Sequence, residues 1–256
     1  MTDTTSIKMS RRKFLGVGAV TAAGAGIAPG VSLISIAEAK PVDQAISSDQ
    51  RWGMLIDTNK CAKGCSACVD ACNTENGLNN GDELNSRPEQ KAQWIRKVDL
   101  KDKATGHEVS LPLMCQHCEN PPCVDVCPTG ASFKREDGVV LVDKHICIGC
   151  RYCMMACPYK ARSFIHEELT HQMEYAPRGK GTVESCTLCV HRIDEDINEK
   201  RDPACVEACN GEGHKAMYFG DLKDANSEVS QQLKNHSSKA IRADLNLNPG
   251  VRYRGI

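Results

Sequence analysis

Sixteen cysteines are the residues of this chain best suited to chemistry, and they fall into four groups of four with none left over. The groups are Cys61, Cys65, Cys68 and Cys72; Cys115, Cys118, Cys123 and Cys127; Cys147, Cys150, Cys153 and Cys157; and Cys186, Cys189, Cys205 and Cys209. Thiolates spaced this closely converge on one centre, and four per centre is the ligand count of a 4Fe–4S cluster. The third group, Cys147-x2-Cys150-x2-Cys153-x3-Cys157-Pro158, reproduces the bacterial ferredoxin run. The sixteen cysteines therefore read as iron ligands of four 4Fe–4S clusters, groups that take up and release single electrons.

The four groups differ in how strongly they speak. The second, Cys115-x2-Cys118-x4-Cys123-x3-Cys127-Pro128, ends like the third, with a proline that turns the chain directly after its last cysteine. Paired C-x2-C elements also hold zinc, but zinc has no use for a third cysteine wedged between the others. In the first group, Cys61-x3-Cys65-x2-Cys68-x3-Cys72, the first three members match the spacing of radical S-adenosylmethionine enzymes. A fourth cysteine is at hand and no barrel-length sequence follows, so an electron-transfer cluster is the better reading. The fourth group, Cys186-x2-Cys189-x15-Cys205-x3-Cys209, carries a long insert and has Asn210 where a proline would stand. Alone it is ambiguous with zinc; completing the count of sixteen makes it a cluster site.

Other side chains carry less. His117 and His145 lie near the runs and read as surface residues or as neighbours of the ligands, because cysteines already fill the ligand count. Lys134, Arg151 and Lys160 are candidates for raising cluster potentials, which follow net charge and hydrogen bonds to sulfur. Gly64 and Gly149 sit inside the loops, where a positive φ turns backbone N–H groups toward sulfur. No Ser/His/Asp nucleophile arrangement, phosphate loop or nucleotide fingerprint is visible. No residue is assigned a catalytic role, and the chain reads as a carrier of electrons, not as an enzyme in its own right.

The elements that must position these thiols are short. Trp52–Asp57 is a strand candidate feeding the first group. Ser132–Lys134 and Val139–Val142 flank Asp137-Gly138, a two-residue hairpin signal that joins the second group to the third. Trp94–Val98 and Val109–Met114 flank a turn at Thr105-Gly106, and Asn73–Lys91 reads as a polar surface loop. A short helix is predicted near Ser227–Lys234 in a tail expected to pack over the surface. Strand, cysteine loop and short helix recur as an internal repeat.

Two such units make one two-cluster ferredoxin-like domain, in which the fourth cysteine of each run ligates the other cluster. Groups must then be paired, first with second and third with fourth, or first with fourth and second with third. The tight hairpin between the second and third groups favours the nested scheme. The predicted fold is α+β, with two bacterial ferredoxin-like 2×(4Fe–4S) domains and loop-rich extensions. An inner domain (111–179) is inserted in an outer one (50–110 and 180–221), ahead of a C-terminal tail (222–256).

Residues 1–39 read as a targeting segment. Ser10-Arg11-Arg12-Lys13-Phe14-Leu15 is a twin-arginine pattern, an uncharged Gly/Ala-rich stretch follows to Ala37, and Ala37-Glu38-Ala39 is a small-residue cleavage site. In an oxidising compartment an even cysteine count ordinarily means disulfides. The twin-arginine route carries proteins already folded, so clusters inserted in the cytoplasm reach the periplasm buried, and disulfides are the poorer reading. Beyond Ala39 no comparably long uncharged stretch occurs, so membrane contact is expected through partners. With 32 Lys and Arg against 33 Asp and Glu, the chain lacks the basic excess of a nucleic-acid surface. Aromatic residues are only 4%, so bound clusters are expected to supply much of the folding free energy.

Three stretches carry a family resemblance: Cys115-Gln-His-Cys118-Glu-Asn-Pro-Pro-Cys123-Val-Asp-Val-Cys127-Pro, Cys147-Ile-Gly-Cys150-Arg-Tyr-Cys153-Met-Met-Ala-Cys157-Pro-Tyr and Cys186-Thr-Leu-Cys189-Val-His-Arg. They resemble the iron–sulfur electron-transfer subunits of the DMSO reductase family, from about Trp52 to about Ser230. Within it, the export segment, the x3 spacing of the first group and the insert after Cys209 look most like the periplasmic subunits of Dsr-type complexes of dissimilatory sulfur metabolism. The resemblance implies four ligand sets: Cys61, Cys65, Cys68 with Cys209; Cys186, Cys189, Cys205 with Cys72; Cys115, Cys118, Cys123 with Cys157; and Cys147, Cys150, Cys153 with Cys127. It also implies a polytopic, quinone-interacting membrane subunit of the NrfD type and a c-type cytochrome or other redox subunit as partners.

Overall fold

The predicted first strand forms as β1, Trp52–Asp57, and all six of its residues are buried. The computed structural model describes residues 46–78, 91–169, 172–195 and 201–256. The expected export segment and residues 79–90 of the expected polar loop lie outside them. What is described of that loop differs from expectation, because the helix Ala67–Glu75 runs through Asn73 and Leu78 is buried.

Two predicted hairpins follow. β2, Ile95–Lys101, pairs antiparallel with β3, Glu108–Met114, from Ile95 opposite Met114 to Lys101 opposite Glu108. β4, Ser132–Lys134, pairs with β5, Val140–Val142. The second turn is longer than the two residues expected. Arg135 N–H donates to Val139 O at 2.8 Å and Gly138 N–H to Arg135 O at 3.1 Å, with Gly138 at φ 87°. That is a three-residue loop whose glycine takes the left-handed position of a bulge. β6, Ser163–Phe164, pairs with β7, Val183–Glu184.

β8, Met217–Asp221, lies antiparallel to β1, with Trp52 opposite Asp221. On the other side of β1 runs β9, Val251–Arg254, in parallel, with Met54 opposite Val251. The C-terminal tail is therefore not a surface wrapping. Val251 and Tyr253 are fully buried, and the Tyr253 hydroxyl donates to Pro112 O at 3.0 Å. Alternating burial along four residues lets a polar-looking Val-Arg-Tyr-Arg segment complete the central sheet. The short helix forms over Glu228–Asn235, with the Ser227 hydroxyl accepting the Ser230 N–H at its start.

Helices near the cysteines are brief for local reasons. Pro122 opens Pro122–Asp125 at a position that needs no N–H donor. Tyr152–Ala156 ends at Cys157, held extended by the proline that follows. Ala67–Glu75 packs on Ala204–Gly211, and Pro122–Asp125 on Tyr152–Ala156. The expected border between residues 110 and 111 falls inside β3, and Val183–Glu184, expected in the segment from 180 on, is hydrogen-bonded to β6. One buried cluster of side chains runs through Met54, Ile56, Trp94 and Val251 and takes in cysteines of the first, second, third and fourth groups. Among the described residues no helix is long and apolar enough to cross a membrane.

Candidate iron–sulfur cluster sites

Packing of Ala67–Glu75 on Ala204–Gly211 and of β1 on β8 brings the first and fourth groups together. Cys61, Cys65, Cys68 and Cys209 line one cavity, with Ile56, Lys97 and Met217. A second cavity is lined by Cys72, Cys186, Cys189 and Cys205 under Met54, Trp94 and Ile95. Each cavity thus carries four thiols, three from one group and one from the other.

The second and third groups meet in the same way. Burial, with the charges of Cys115, Cys123 and Cys157, pushes the Cys118 thiol up to about 12. Burial likewise raises Cys153, whose charged neighbours include Cys147 and Cys127. Eleven of the sixteen cysteines are buried; Cys150 is the exposed one. None of the sixteen is paired in a disulfide.

These surroundings fit a cationic cluster. Burial, then the charges of Cys61, Cys209 and Cys65, raises Cys68 to about 11. Burial also raises Cys72, Cys186 and Cys205, helped most by Cys189 at Cys72, by Cys72 at Cys186 and by Cys189 at Cys205. Four thiolates can share such a cavity only around positive charge. Backbone N–H groups already point at sulfur: Ser132 to Cys127 Sγ at 3.3 Å, Ala216 to Cys209 Sγ at 3.4 Å, and Leu188 to Cys186 Sγ at 3.5 Å. Trp94 Nε1, Arg162 Nη1 and His117 Nε2 are buried with no protein partner among the described residues. Bridging sulfides would accept from donors of this kind. Among the described residues, no three of the His, Cys, Asp or Glu side chains converge tightly enough for a single metal ion. A cluster of several irons holds its thiolates farther apart than zinc does.

The charged surroundings differ from those expected. Lys134 is bound to Glu119 at 2.7 Å, and Arg151 lies 4.7 Å from the centre of the Phe164 ring. Lys97, Arg162 and Arg192 are the cations whose charges act on the thiols among the described residues, Arg192 on Cys189. Lys97 Nζ donates to the carbonyls of Ala62 and Cys65, both at 2.7 Å, and its charge opposes the burial of Cys61. Arg162 Nη2 donates to Cys123 Sγ at 3.1 Å and to Ser132 Oγ at 2.7 Å. Neither partner of Arg162 is near it in sequence, and only its place four residues after Pro158 hinted at the ligand loop. His117 is a buried neighbour of the ligands. Val140 N–H donates to its Nδ1 at 3.0 Å, which leaves the proton on Nε2, and burial pulls its pKa down to about 3. His145 is exposed. Gly64 and Gly149 have the expected positive φ, 79° and 70°.

Comparison with known proteins agrees with this chemistry. Two family models described as 4Fe-4S dicluster domains match residues 60–131 and 107–222. The chain is 42% identical to the Hdr-like menaquinol oxidoreductase iron-sulfur subunit 1 of Archaeoglobus fulgidus, over 96% of this chain and 97% of that one. It is 37% identical to a tetrathionate reductase subunit of Salmonella typhimurium, covering 96% and 88% of the two chains. The NrfC homolog of Haemophilus influenzae is 35% identical, over 95% and 94%. Two ferredoxin-like dicluster domains and sixteen cysteines make the cofactors four 4Fe–4S clusters.

Proposed function

This chain belongs to the iron–sulfur electron-transfer subunits of oxidoreductase complexes, and we propose that it is a periplasmic relay between a quinone-linked membrane subunit and a second redox partner. The 4Fe–4S clusters supply one-electron oxidation and reduction. The chain's own residues hold them in series, exclude water and set their charge surroundings.

The observation that carries this reading is the sorting of thiols into mixed sets. Cys61, Cys65 and Cys68 share a cavity with Cys209, and Cys186, Cys189 and Cys205 share one with Cys72. By the same logic Cys115, Cys118 and Cys123 are assigned with Cys157, and Cys147, Cys150 and Cys153 with Cys127. This is nested pairing, and it makes the inner ferredoxin-like domain an insertion in the outer one. At the inner end the chain offers an entry for a partner: Ile146, Ile148, Tyr152 and Met155 are exposed around the exposed Cys150.

The membrane partner is assigned as an NrfD-type polytopic subunit and the other as a c-type cytochrome or similar redox subunit. The finer identity proposed is a DsrO-like subunit of a sulfur-metabolism complex, exported folded through the Arg11-Arg12 signal. The relative named as a menaquinol oxidoreductase subunit supports the quinone link. A second reading, the iron–sulfur subunit of a periplasmic molybdopterin reductase, is favoured by the resemblance to the tetrathionate reductase subunit.

Anaerobic purification of the native complex from membranes decides between them. About sixteen irons and as many acid-labile sulfides per chain are expected, together with a polytopic subunit and a haem protein. A molybdopterin subunit in the complex selects the second reading. A colourless chain carrying zinc or disulfides would end both.

A further inference from the structure

Among the described residues, Arg162 is a buried cation with no carboxylate paired to it. It is 6% exposed, and it donates hydrogen bonds to Cys123 Sγ and Ser132 Oγ. Burial opposes its charge, but the thiolates of Cys123, Cys153 and Cys115 more than offset that and raise its pKa. Those three cysteines come from two different sets: Cys115 and Cys123 face Cys118 and Cys157, whereas Cys153 faces Cys147 and Cys127. The guanidinium therefore stands where both inner sets reach it, with Nη1 buried and unpartnered by protein among the described residues.

An isolated guanidinium in the interior is costly unless negative charge surrounds it. Arginine keeps its proton at every working pH, so its charge stays fixed while that of each inner cluster changes by one on reduction. Lys97 shows the contrast: it opposes burial at Cys61 and Cys68, both of the first set. The other outer set has Asn76 Nδ2 at 3.6 Å from Cys72 Sγ and the charge of Arg192 acting on Cys189, again one cation on one set.

We propose that Arg162 is a shared positioning residue of the inner pair, one cation that raises the reduction potential of both inner clusters together. It makes an electron arriving on either inner set more stable than it would be on a thiolate cage alone. The inference rests on the cluster reading above.

The test is a potentiometric titration of the holoprotein followed by EPR, comparing wild type with Arg162→Met and Arg162→Gln, with iron counted for each. Wild type must first carry about sixteen irons; if it does not, the relay reading fails and not this one. In the loaded variants two of the four clusters are expected to shift to lower potential while the other two stay. The ratio of reduced to oxidised form of each shifted cluster at its wild-type midpoint falls tenfold or more, a shift of ~59 mV for a one-electron couple. Arg162→Lys, which keeps the charge, restores part of the shift. Four unmoved midpoints, or four moved equally, overturn the proposal. Should the uncharged variants lose their iron, pulsed EPR of wild-type protein labelled with 15N-arginine decides instead. Coupling to an arginine nitrogen in two cluster signals supports the proposal, and its absence from both inner signals rules it out.

Discussion

Arg178 and Glu184 form a buried, two-pronged ion pair, with Nε 2.9 Å from Oε2 and Nη2 2.8 Å from Oε1. Both side chains are almost wholly shielded. The remaining Nη1 donates to Gly77 O at 2.8 Å, which ties the segment after the first cysteine helix to β7. Such a pair joins the backbone near Cys72 to the strand entering the fourth group. Removing one partner leaves the other charged and unpaired in the interior, at a cost of about 3–5 kcal/mol. Arg178→Met or Glu184→Gln is expected to lower the free energy of unfolding by that amount, read as a lower denaturant midpoint for loss of cluster absorbance. The double change Arg178→Met with Glu184→Leu should recover much of it, because no lone charge remains.

Glu75 binds Arg192 at 2.5 and 2.6 Å and His191 at 2.7 Å, and Arg192 reaches on to Glu207 at 2.6 Å. This network fastens the first-group helix to the two segments that carry Cys189 and Cys205. The Arg192 hydrogen bond, then that of His191, lowers the Glu75 pKa from 4.5 to about 2. A depressed carboxylate pKa contributes stability above the unfolded value and loses it as pH falls through the folded one. Wild type and Glu75→Gln should therefore differ most in unfolding midpoint above pH 4.5 and converge toward pH 2. A gap that stayed constant across that window would show the network to be uninvolved.

A Cβ on Gly149 would lie 2.1 Å from Gly181 O, and the residue has a φ of 70°. Backbone meets backbone there, so neither side can yield cheaply. The left-handed conformation alone costs a side-chain-bearing residue about 1–3 kcal/mol. Gly149→Ala should release the third cysteine run from β6 and β7 and lower bound iron toward three clusters. Gly64, also at positive φ, has nothing within 4 Å of a Cβ. Gly64→Ala is the paired control, expected to keep all its iron at a smaller loss of midpoint.

The cluster content was legible in the sequence because the cysteine groups are local: each group of four lies within one stretch of chain. β1 was legible from its unbroken apolar run, and both hairpins from Gly106 and Gly138. What escaped was nonlocal. Arg162 meets Ser132 and Cys123 across 30 and 39 residues, and Lys97 meets Ala62 across 35. No spacing rule connects such positions, so the lysines and arginines nearest the cysteines drew attention instead. β9 escaped because four residues with two arginines average out as polar, although Val251 and Tyr253 alternate inward. A strand that pairs with β1 across nearly the whole chain leaves no trace in its neighbours.

The inner end of the chain presents its apolar side chains in one stretch. Ile148 and Met155 are each 66% exposed, with Ile146 at 48% and Tyr152 at 53%, around Cys150. Side chains this exposed add little to the fold, since their burial on folding is small. They add much to an interface, where the same apolar area leaves water on docking. Ile148→Glu with Met155→Glu should leave iron content and unfolding midpoint within about 0.5 kcal/mol of wild type. If the proposed membrane partner docks here, the double change should also cut that partner's recovery in affinity purification about tenfold or more, the equivalent of about 1.4 kcal/mol. Loss of the haem partner with the membrane subunit retained would instead place the cytochrome at this face. Full retention of both partners would mean that the patch around Cys150 is not where electrons pass to another protein.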